Sequence, residues 1–276
     1  MFTLNCRGRL LVIDKPIIMG IINVTPDSFY ENSRVSADMI VNRAEQMLKD
    51  GAGIIDIGGQ STRPGSIKIT GEEELRRVIE PVKIIHKNFP EAIISIDTYY
   101  ATVARECVEA GAAIINDISA GKMDEAMIST VASLQVPYVL MHMKGTPQDM
   151  QQKASYDDVT KEVLDFFIRE VGLLQKSGIH DIIIDPGFGF GKTIDQNFTL
   201  LRNLSVFQML DHPLMVGLSR KSTIWKTLGI NAEESLNGTT ALQTIALMKG
   251  CRILRAHDIK EACETVKLLE ALNRPE

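Results

Sequence analysis

The sequence predicts an α/β fold, a single closed (β/α)8 TIM barrel with an N-terminal β-hairpin, and three observations carry that prediction. Eight short apolar, β-rich runs alternate with amphipathic helical segments from Ile17 onwards. The runs look apolar on both faces, as parallel strands covered by helices should. All eight end on polar residues or glycines, and in a closed barrel those ends converge at one mouth. A chain of 276 residues exceeds the usual domain of roughly 100 to 200, yet barrels of this type commonly reach about 250. One domain over 1–276, with the hairpin in 1–14, is therefore expected.

The hairpin is read from two alternating runs, 2–6 and 9–13, joined by Arg7-Gly8. Its apolar side chains need a surface to cover, and one end of a barrel would supply it. The barrel strands are expected at 17–24, 54–57, 92–96, 113–115, 138–141, 182–184, 214–216 and 252–254. Helices are expected at 37–49, 71–88, 100–110, 124–134, 157–176, 196–204, 233–248 and 258–272. The fourth unit is the least pronounced, because its strand and helix are both short.

Composition excludes several classes. With 45% hydrophobic and 24% charged residues the chain is globular. A net charge of -5 offers nothing to nucleic acid or an anionic membrane. Cys6, Cys107, Cys251 and Cys263 have neither CxxC nor zinc-like spacing, as expected of a reduced, cytoplasmic protein. No apolar run approaches the roughly 20 residues of a membrane span. The start, MFTLNCRGRLLVID, lacks the pattern of a signal peptide and reads as a mature N-terminus.

The strand ends carry the chemistry: Asn23, Gly58-Gly59, Asp97, Asn116-Asp117, His142, Asp185, Gly217 to Ser219, and His257. Asp97, Asn116 and Asp185, with Lys221 nearby, suit a flat heterocycle bearing donors and acceptors, since a carboxylate accepts paired N–H groups. Structural ion pairing is the competing explanation for the two carboxylates. The stretch 182–192, IIIDPGFGFGK, reads as a pocket wall: glycines allow close backbone approach, and Phe188 and Phe190 offer apolar surface to a ring. Asn23, Arg255 and His257 meet only if the barrel closes. Together they form a cradle for phosphate or diphosphate, with Asn23 able to hold hydrated Mg2+. For His257, capping of the last helix is the alternative. Two long loops, 25–36 and 58–70, are rich in hydroxyls and turn formers; they read as lids, or as plain surface, with Arg63 able to reach an anion.

Several segments in order resemble the signatures of the dihydropteroate synthase family, the folate-pathway enzymes targeted by sulfonamides. They are MGIINVTPDSF (19–29), DIGGQSTRPGS (56–66), SIDT (95–98), INDISAG (115–121), DPGFGFGK (185–192), VGLSRKS (216–222) and RAHD (255–258). The resemblance implies a TIM barrel that condenses 6-hydroxymethyl-7,8-dihydropterin diphosphate with p-aminobenzoate, giving dihydropteroate and diphosphate. It implies pterin binding by Asp97, Asn116, Met141, Asp185, Phe190, Gly217 and Lys221. Diphosphate would be held by Asn23, Arg63, Arg255 and His257, with Mg2+ at Asn23, and p-aminobenzoate by Thr62, Arg63, Pro64, Phe190, Ser219 and Lys221. Asp97, Arg63, Lys221, Arg255 and His257 would be catalytic, in a dissociative, SN1-like substitution. Small-molecule substrates and a homodimer are implied, with the last two helices as one source of a dimer face. Gln60 stands where the family often has Glu, and SFYENSR departs from its usual glycine-containing first loop. A corrinoid-linked methyltransferase barrel would share the Asp and Asn positions but has no use for STRPG. A pterin-binding module without catalysis would keep the slot and lose the lids.

Overall fold

The computed structural model describes residues 1–24, 33–61 and 66–274, with the backbone alone for 33–36. Two strands open the chain, β1 (Phe2–Cys6) and β2 (Arg9–Ile13). Arg7 and Gly8 both take positive φ, 56° and 81°, as a two-residue turn needs if its twist is to match that of the strands it joins. The barrel strands follow: β3 (Ile17–Asn23), β4 (Ile54–Gly58), β5 (Ile93–Asp97), β6 (Ile114–Asp117), β7 (Tyr138–Met141), β8 (Ile182–Asp185), β9 (Met215–Val216) and β10 (Ile253–Ala256). All pair in parallel in the order β8-β7-β6-β5-β4-β3-β10-β9. A parallel bridge between Ile184 and Leu214 joins the two ends of that order and closes the barrel.

The helices are α1 (Ser33–Asp50), α2 (Gly71–Asn88), α3 (Ala101–Ala110), α4 (Met127–Leu134), α5 (Val159–Lys176), α6 (Ile194–Arg202), α7 (Ser222–Leu228), α8 (Leu236–Met248) and α9 (Ile259–Leu272). Their starts are chemically marked where a side chain can take the orphan N–H groups. Thr70 accepts from Glu73 N–H at α2, Asp158 from Thr160 and Lys161 N–H at α5, and Thr193 with Gln196 forms a capping box at α6. Two pieces were not expected from periodicity. They are a 3-10 helix at Leu204–Leu210 and α7, which is only two turns long. The fourth unit is short, as expected; α4 has eight residues and begins after Asp124, whose side chain accepts from Ala126 N–H and Ala101 N–H.

Strand alternation divides the apolar residues into two populations. Ile18, Ile55, Ile57, Ile94, Ile96, Ile115, Ile184 and Leu254 face the helices in one large core. Met19, Ile54, Ile114, Val139, Ile183, Met215 and Ile253 fill the lower lumen together with Leu4, Cys6 and Ile13 of the hairpin. The hairpin thus forms the floor of the barrel. It is tied to the rim by Asn5 N–H donating to Asp181 (2.9 Å) and by Arg9 donating to the Pro90 carbonyl (2.8 Å).

Candidate active site

Above that apolar floor the inward positions turn polar. Asp56 of β4, Ser95 and Asp97 of β5, Asn116 of β6, Asp185 of β8 and Arg255 of β10 follow the parity of the apolar residues beneath them. Arg255 joins the cluster: its Nε donates to Asp56 Oδ2 (2.7 Å) and its Nη2 to Asp97 Oδ2 (2.6 Å). Asn116 Nδ2 donates to the same Asp56 oxygen (3.1 Å). Asp97 and Arg255, expected in separate pterin and diphosphate groups, are therefore direct partners. The ion pair expected as a rival explanation of the carboxylates exists as part of the polar cluster.

Asp56 is the residue that strand-end reasoning missed. It is wholly buried, while its Oδ1, like Ser95 Oγ, has no hydrogen-bond partner among the described residues. The signal was available: Asp56 lies two positions before Gly58, so alternation places it on the same lumen face. Burial raises the Asp97 carboxyl to about 7; Arg255 opposes the shift and Asp56 adds to it. Burial likewise raises Asp185, against the pull of Lys221.

The slot beside these charges is apolar. Met141 is buried with Ile118 and Tyr99, and Phe190 packs against them. Lys221 donates through Nζ to the Phe188 carbonyl and sits 4.7 Å from the Phe190 ring centroid. Burial lowers its ammonium to about 8, with Asp185 holding it up. A Cβ on Gly217 would stand 3.8 Å from Lys221 Nζ and 3.9 Å from Arg255 Cβ, so the glycine keeps open the space between the two cations.

On the side expected to hold diphosphate, Ser219 Oγ lies 3.1 Å from His257 Nδ1 and accepts from His257 N–H (3.2 Å). The bidentate pair of Arg220 with Asp258 (2.9 and 2.7 Å) locks these two loops together. Asp258, the N-cap of α9, makes no side-chain capping hydrogen bond. Asn23 is at the exposed end of β3, next to β4. Thr62, Arg63 and Pro64, and most of the first loop, lie outside the described residues. The stems of the second loop are described: Gln60 donates to the Tyr99 hydroxyl and accepts from Ile69 N–H (2.9 Å), while Tyr100 donates to the Ile69 carbonyl (2.6 Å).

Two strand-end residues face away from the mouth. Asp117 accepts from Ser119 N–H, Gly121 N–H and the Tyr138 hydroxyl, each at 2.7 Å, and so shapes the loop after β6. The His142 ring packs edge-on against Phe166 with centroids 4.9 Å apart. Among the described residues no three His, Cys, Asp or Glu side chains are grouped to hold a metal. The oxygen donor at Asn23 nonetheless fits Mg2+, which usually keeps its waters and binds through one or two protein oxygens plus substrate phosphates.

Buried carboxylates and an amide beside the apolar Met141 and Phe190 surface, with Lys221 and Arg255 among them, are the chemistry of a barrel enzyme suited to a flat, hydrogen-bonding ring. The sequence profile of the family described as "Pterin binding enzyme" matches residues 19–257. The chain is 43% identical over 274 residues to the dihydropteroate synthase of Escherichia coli (strain K12), covering 97% of this chain and 95% of that one. A Xanthomonas albilineans dihydropteroate synthase solved with 4-aminobenzoic acid superposes with a TM-score of 0.91 at 37% identity, covering 99% of both chains. Another structure from that organism, in complex with 7,8-dihydropteroate, gives 0.88 at 35% identity and covers both chains fully. The chain belongs to the pterin-binding enzyme family and, within it, to the dihydropteroate synthases, transferases that form a C–N bond.

Proposed function

We infer that the mouth of this barrel condenses 6-hydroxymethyl-7,8-dihydropterin diphosphate with p-aminobenzoate, releasing 7,8-dihydropteroate and diphosphate. The Asp56–Arg255–Asp97 network beside the Met141 and Phe190 wall carries this reading. The amino and N–H edge of a pterin supplies the paired donors that buried carboxylates accept, and Asp185, Asn116 and the open oxygen of Asp56 supply that acceptor set. Phe190 and Met141 receive the ring faces, and the absence of a side chain at Gly217 leaves room for the ring edge. Lys221 exchanges the Phe188 carbonyl for a pterin acceptor or the p-aminobenzoate carboxylate.

In the reaction the bond between the 6-methylene carbon and the diphosphate oxygen breaks first. The methylene cation is delocalised into the electron-rich dihydropterin, and the carboxylates of Asp97 and Asp185 favour that positive charge. The electron pair leaves with diphosphate, whose charge is met by His257, by Asn23, by Arg63 and by the Arg255 N–H groups that Asp56 and Asp97 do not use. Asn23 would hold Mg2+, which would supply further neutralisation of the leaving group's charge. The p-aminobenzoate nitrogen then forms the C–N bond with that carbon and gives up its extra proton to the departed diphosphate or to water. Ser219 and Phe190 line the side from which it approaches, where sulfonamides would compete, and the resemblance gives Thr62, Arg63 and Pro64, outside the described residues, the same role.

Two wider readings belong with this one. Ile245 and Met248 of α8 and Leu268 and Leu272 of α9 expose apolar side chains, while Ala246, Leu247, Ala262 and Val266 face the core. That doubly apolar helix pair supports a homodimer built on α8 and α9. Four cysteines that are all free thiols support a reducing, cytoplasmic setting. No helix among the described residues is long and apolar enough to cross a membrane.

The test is diphosphate release from dihydropterin diphosphate and Mg2+ with and without p-aminobenzoate. Diphosphate and dihydropteroate appearing in equal amounts is the expected result. Pterin binding with neither product formed would reduce the protein to a binding module.

A further inference from the structure

The loop that forms the Phe190 wall is held by its carbonyls. Gly187 O accepts from Lys192 Nζ (2.9 Å), Phe188 O from Lys221, Gly189 O from Gln151 (3.1 Å) and Phe190 O from Lys192 again (3.2 Å). Gly191 O accepts from the Tyr156 hydroxyl (2.9 Å) and Lys192 O from Asn197 (3.2 Å). Six consecutive carbonyls therefore each meet a side-chain donor. Gly187 has φ +69°, and a Cβ there would stand 2.0 Å from the His142 carbonyl, so only glycine brings the two backbones this close.

Lys192 is the centre of the arrangement and the proposed chemistry has no use for it. Its side chain is almost fully buried and no carboxylate bonds to it. Besides the Gly187 and Phe190 carbonyls, its ammonium reaches the His142 carbonyl (3.3 Å) and His142 Nδ1 (3.0 Å). Burial and the adjacent ammonium push His142 down to about 2, which leaves the imidazole a neutral acceptor. Burial lowers Lys192 to about 7, with Asp185 opposing the shift, so an amine in a cage of three carbonyls and an imidazole is costly to keep charged. The position does reach the mouth. Gly187 N–H donates to Asp185 Oδ1 (2.8 Å), so one residue is fixed by Asp185 at its nitrogen and by Lys192 at its oxygen. The Phe190 peptide, whose ring lies beneath Lys221, is fixed by the same ammonium.

We propose that Lys192 is a positioning residue for the pterin subsite: by tying the Gly187 and Phe190 carbonyls to His142, it sets the Asp185 carboxylate and the Phe190 ring against which the pterin stacks. The proposal rests on the assignment of Asp185 and Phe190 to the pterin. It separates Lys192 from Lys221, which acts at the mouth while Lys192 acts from behind the loop.

The experiment is steady-state kinetics on the full chain with Lys192→Met, Lys192→Ala and His142→Leu, varying each substrate separately. Loss of charge-assisted bonds to the loop is expected to raise KM for dihydropterin diphosphate about 10-fold in Lys192→Met. KM for p-aminobenzoate and kcat should change less than the pterin KM, since the clamp meets the arylamine side only through Phe190 and does not touch the diphosphate cradle. Propylammonium added to Lys192→Ala should recover part of the lost pterin affinity by refilling the cage, a response that a merely structural lysine would not give. Unchanged pterin KM, or losses in both KM values and kcat with no response to the amine, would overturn the proposal. If both Lys192 variants fail to fold, His142→Leu decides: it keeps the ammonium, removes one acceptor and should raise the pterin KM several-fold, and an unchanged value rejects the clamp. A wild-type chain that does not turn over the pterin would reject the subsite assignment itself; an active wild type leaves only the clamp at issue.

Discussion

The two ends of this barrel are built from the same strands and do opposite work. At the floor, the inward side chains of β3, β4, β6, β7, β8, β9 and β10 are Met19, Ile54, Ile114, Val139, Ile183, Met215 and Ile253, closed over by Leu4, Cys6 and Ile13 of the hairpin. Two residues further along, the same faces present Asp56, Asn116, Asp185 and Arg255, joined by Asp97 of β5. Apolar burial at the floor stabilises the fold at about 25 cal/mol per Å2. Burying three carboxylates and a guanidinium at the mouth offsets part of that gain, because each charge loses water. Stability is thus concentrated below and chemistry above, within a lumen a few residues deep.

The sharpest break of that comparison is Asp97→Asn. The amide still accepts from Arg255, but the charge that favours the methylene cation is gone, so kcat should fall by about 100-fold or more. The melting temperature should stay within a few degrees of wild type, since a group disfavoured by burial has been neutralised. The pH profile checks the cause. With Asp97 raised to about 7, activity of the wild type should fall as pH drops through about 7, where protonation removes the charge. Asp97→Asn should lose that acid limb; if it keeps the limb, another group is responsible.

How far this division could be read from the sequence depends on which residue of each strand is considered. The unbroken strand and helix rhythm was enough for the barrel, and Asp97, Asn116 and Asp185 are inward because they end their strands on the lumen face. Asp117 and His142 also stand at strand ends, yet they are one residue out of phase and serve the outer packing. Asp56 is in phase but two residues short of the end, so attention to termini alone passed over the partner that Arg255 and Asn116 share. Lys192 carries no periodic signal at all: its role comes from carbonyls at Gly187, Phe190 and His142, brought together only by the fold. Strand β9 is short because Pro213 precedes it without an N–H and Gly217 follows it, and its pairing to β8 is reduced to the bridge at Leu214.

The floor is tested by Ile13→Ala. Ile13 is fully buried where the hairpin meets the strand starts. Truncation there should cost about 2–5 kcal/mol by the lost transfer energy and the cavity left behind. At temperatures where the variant remains folded, kcat and both KM values should match wild type, because the lost methyl groups lie below the polar layer. Denaturant unfolding with parallel kinetics reads both quantities; a substantial fall in kcat with full folding would show that floor and mouth are coupled.

The smallest expected effect comes from Glu74, a carboxyl near the mouth but shut out of it. It lies in the first turn of α2, buried behind Gly59, close to Thr98 without a well-formed hydrogen bond. Unlike Asp56 and Asp97, it has no hydrogen-bonded guanidinium among the described residues, and burial raises it to about 8, with Thr98 and Arg77 offsetting only part of the shift. A carboxyl raised on folding binds more protons in the native than in the unfolded chain between the two pKa values. Stability should therefore fall as pH rises from about 4.5 towards about 8 and level off beyond. Glu74→Gln, which resembles the protonated acid, should melt a few degrees above wild type at pH 8.5, and that advantage should vanish near pH 4.5. Turnover at pH 8.5 should be unchanged, since the group faces away from the lumen. Equal melting temperatures across that range would mean that Glu74 finds compensation for its charge, and the contrast between paired charges in the lumen and an unpaired one behind it would not hold.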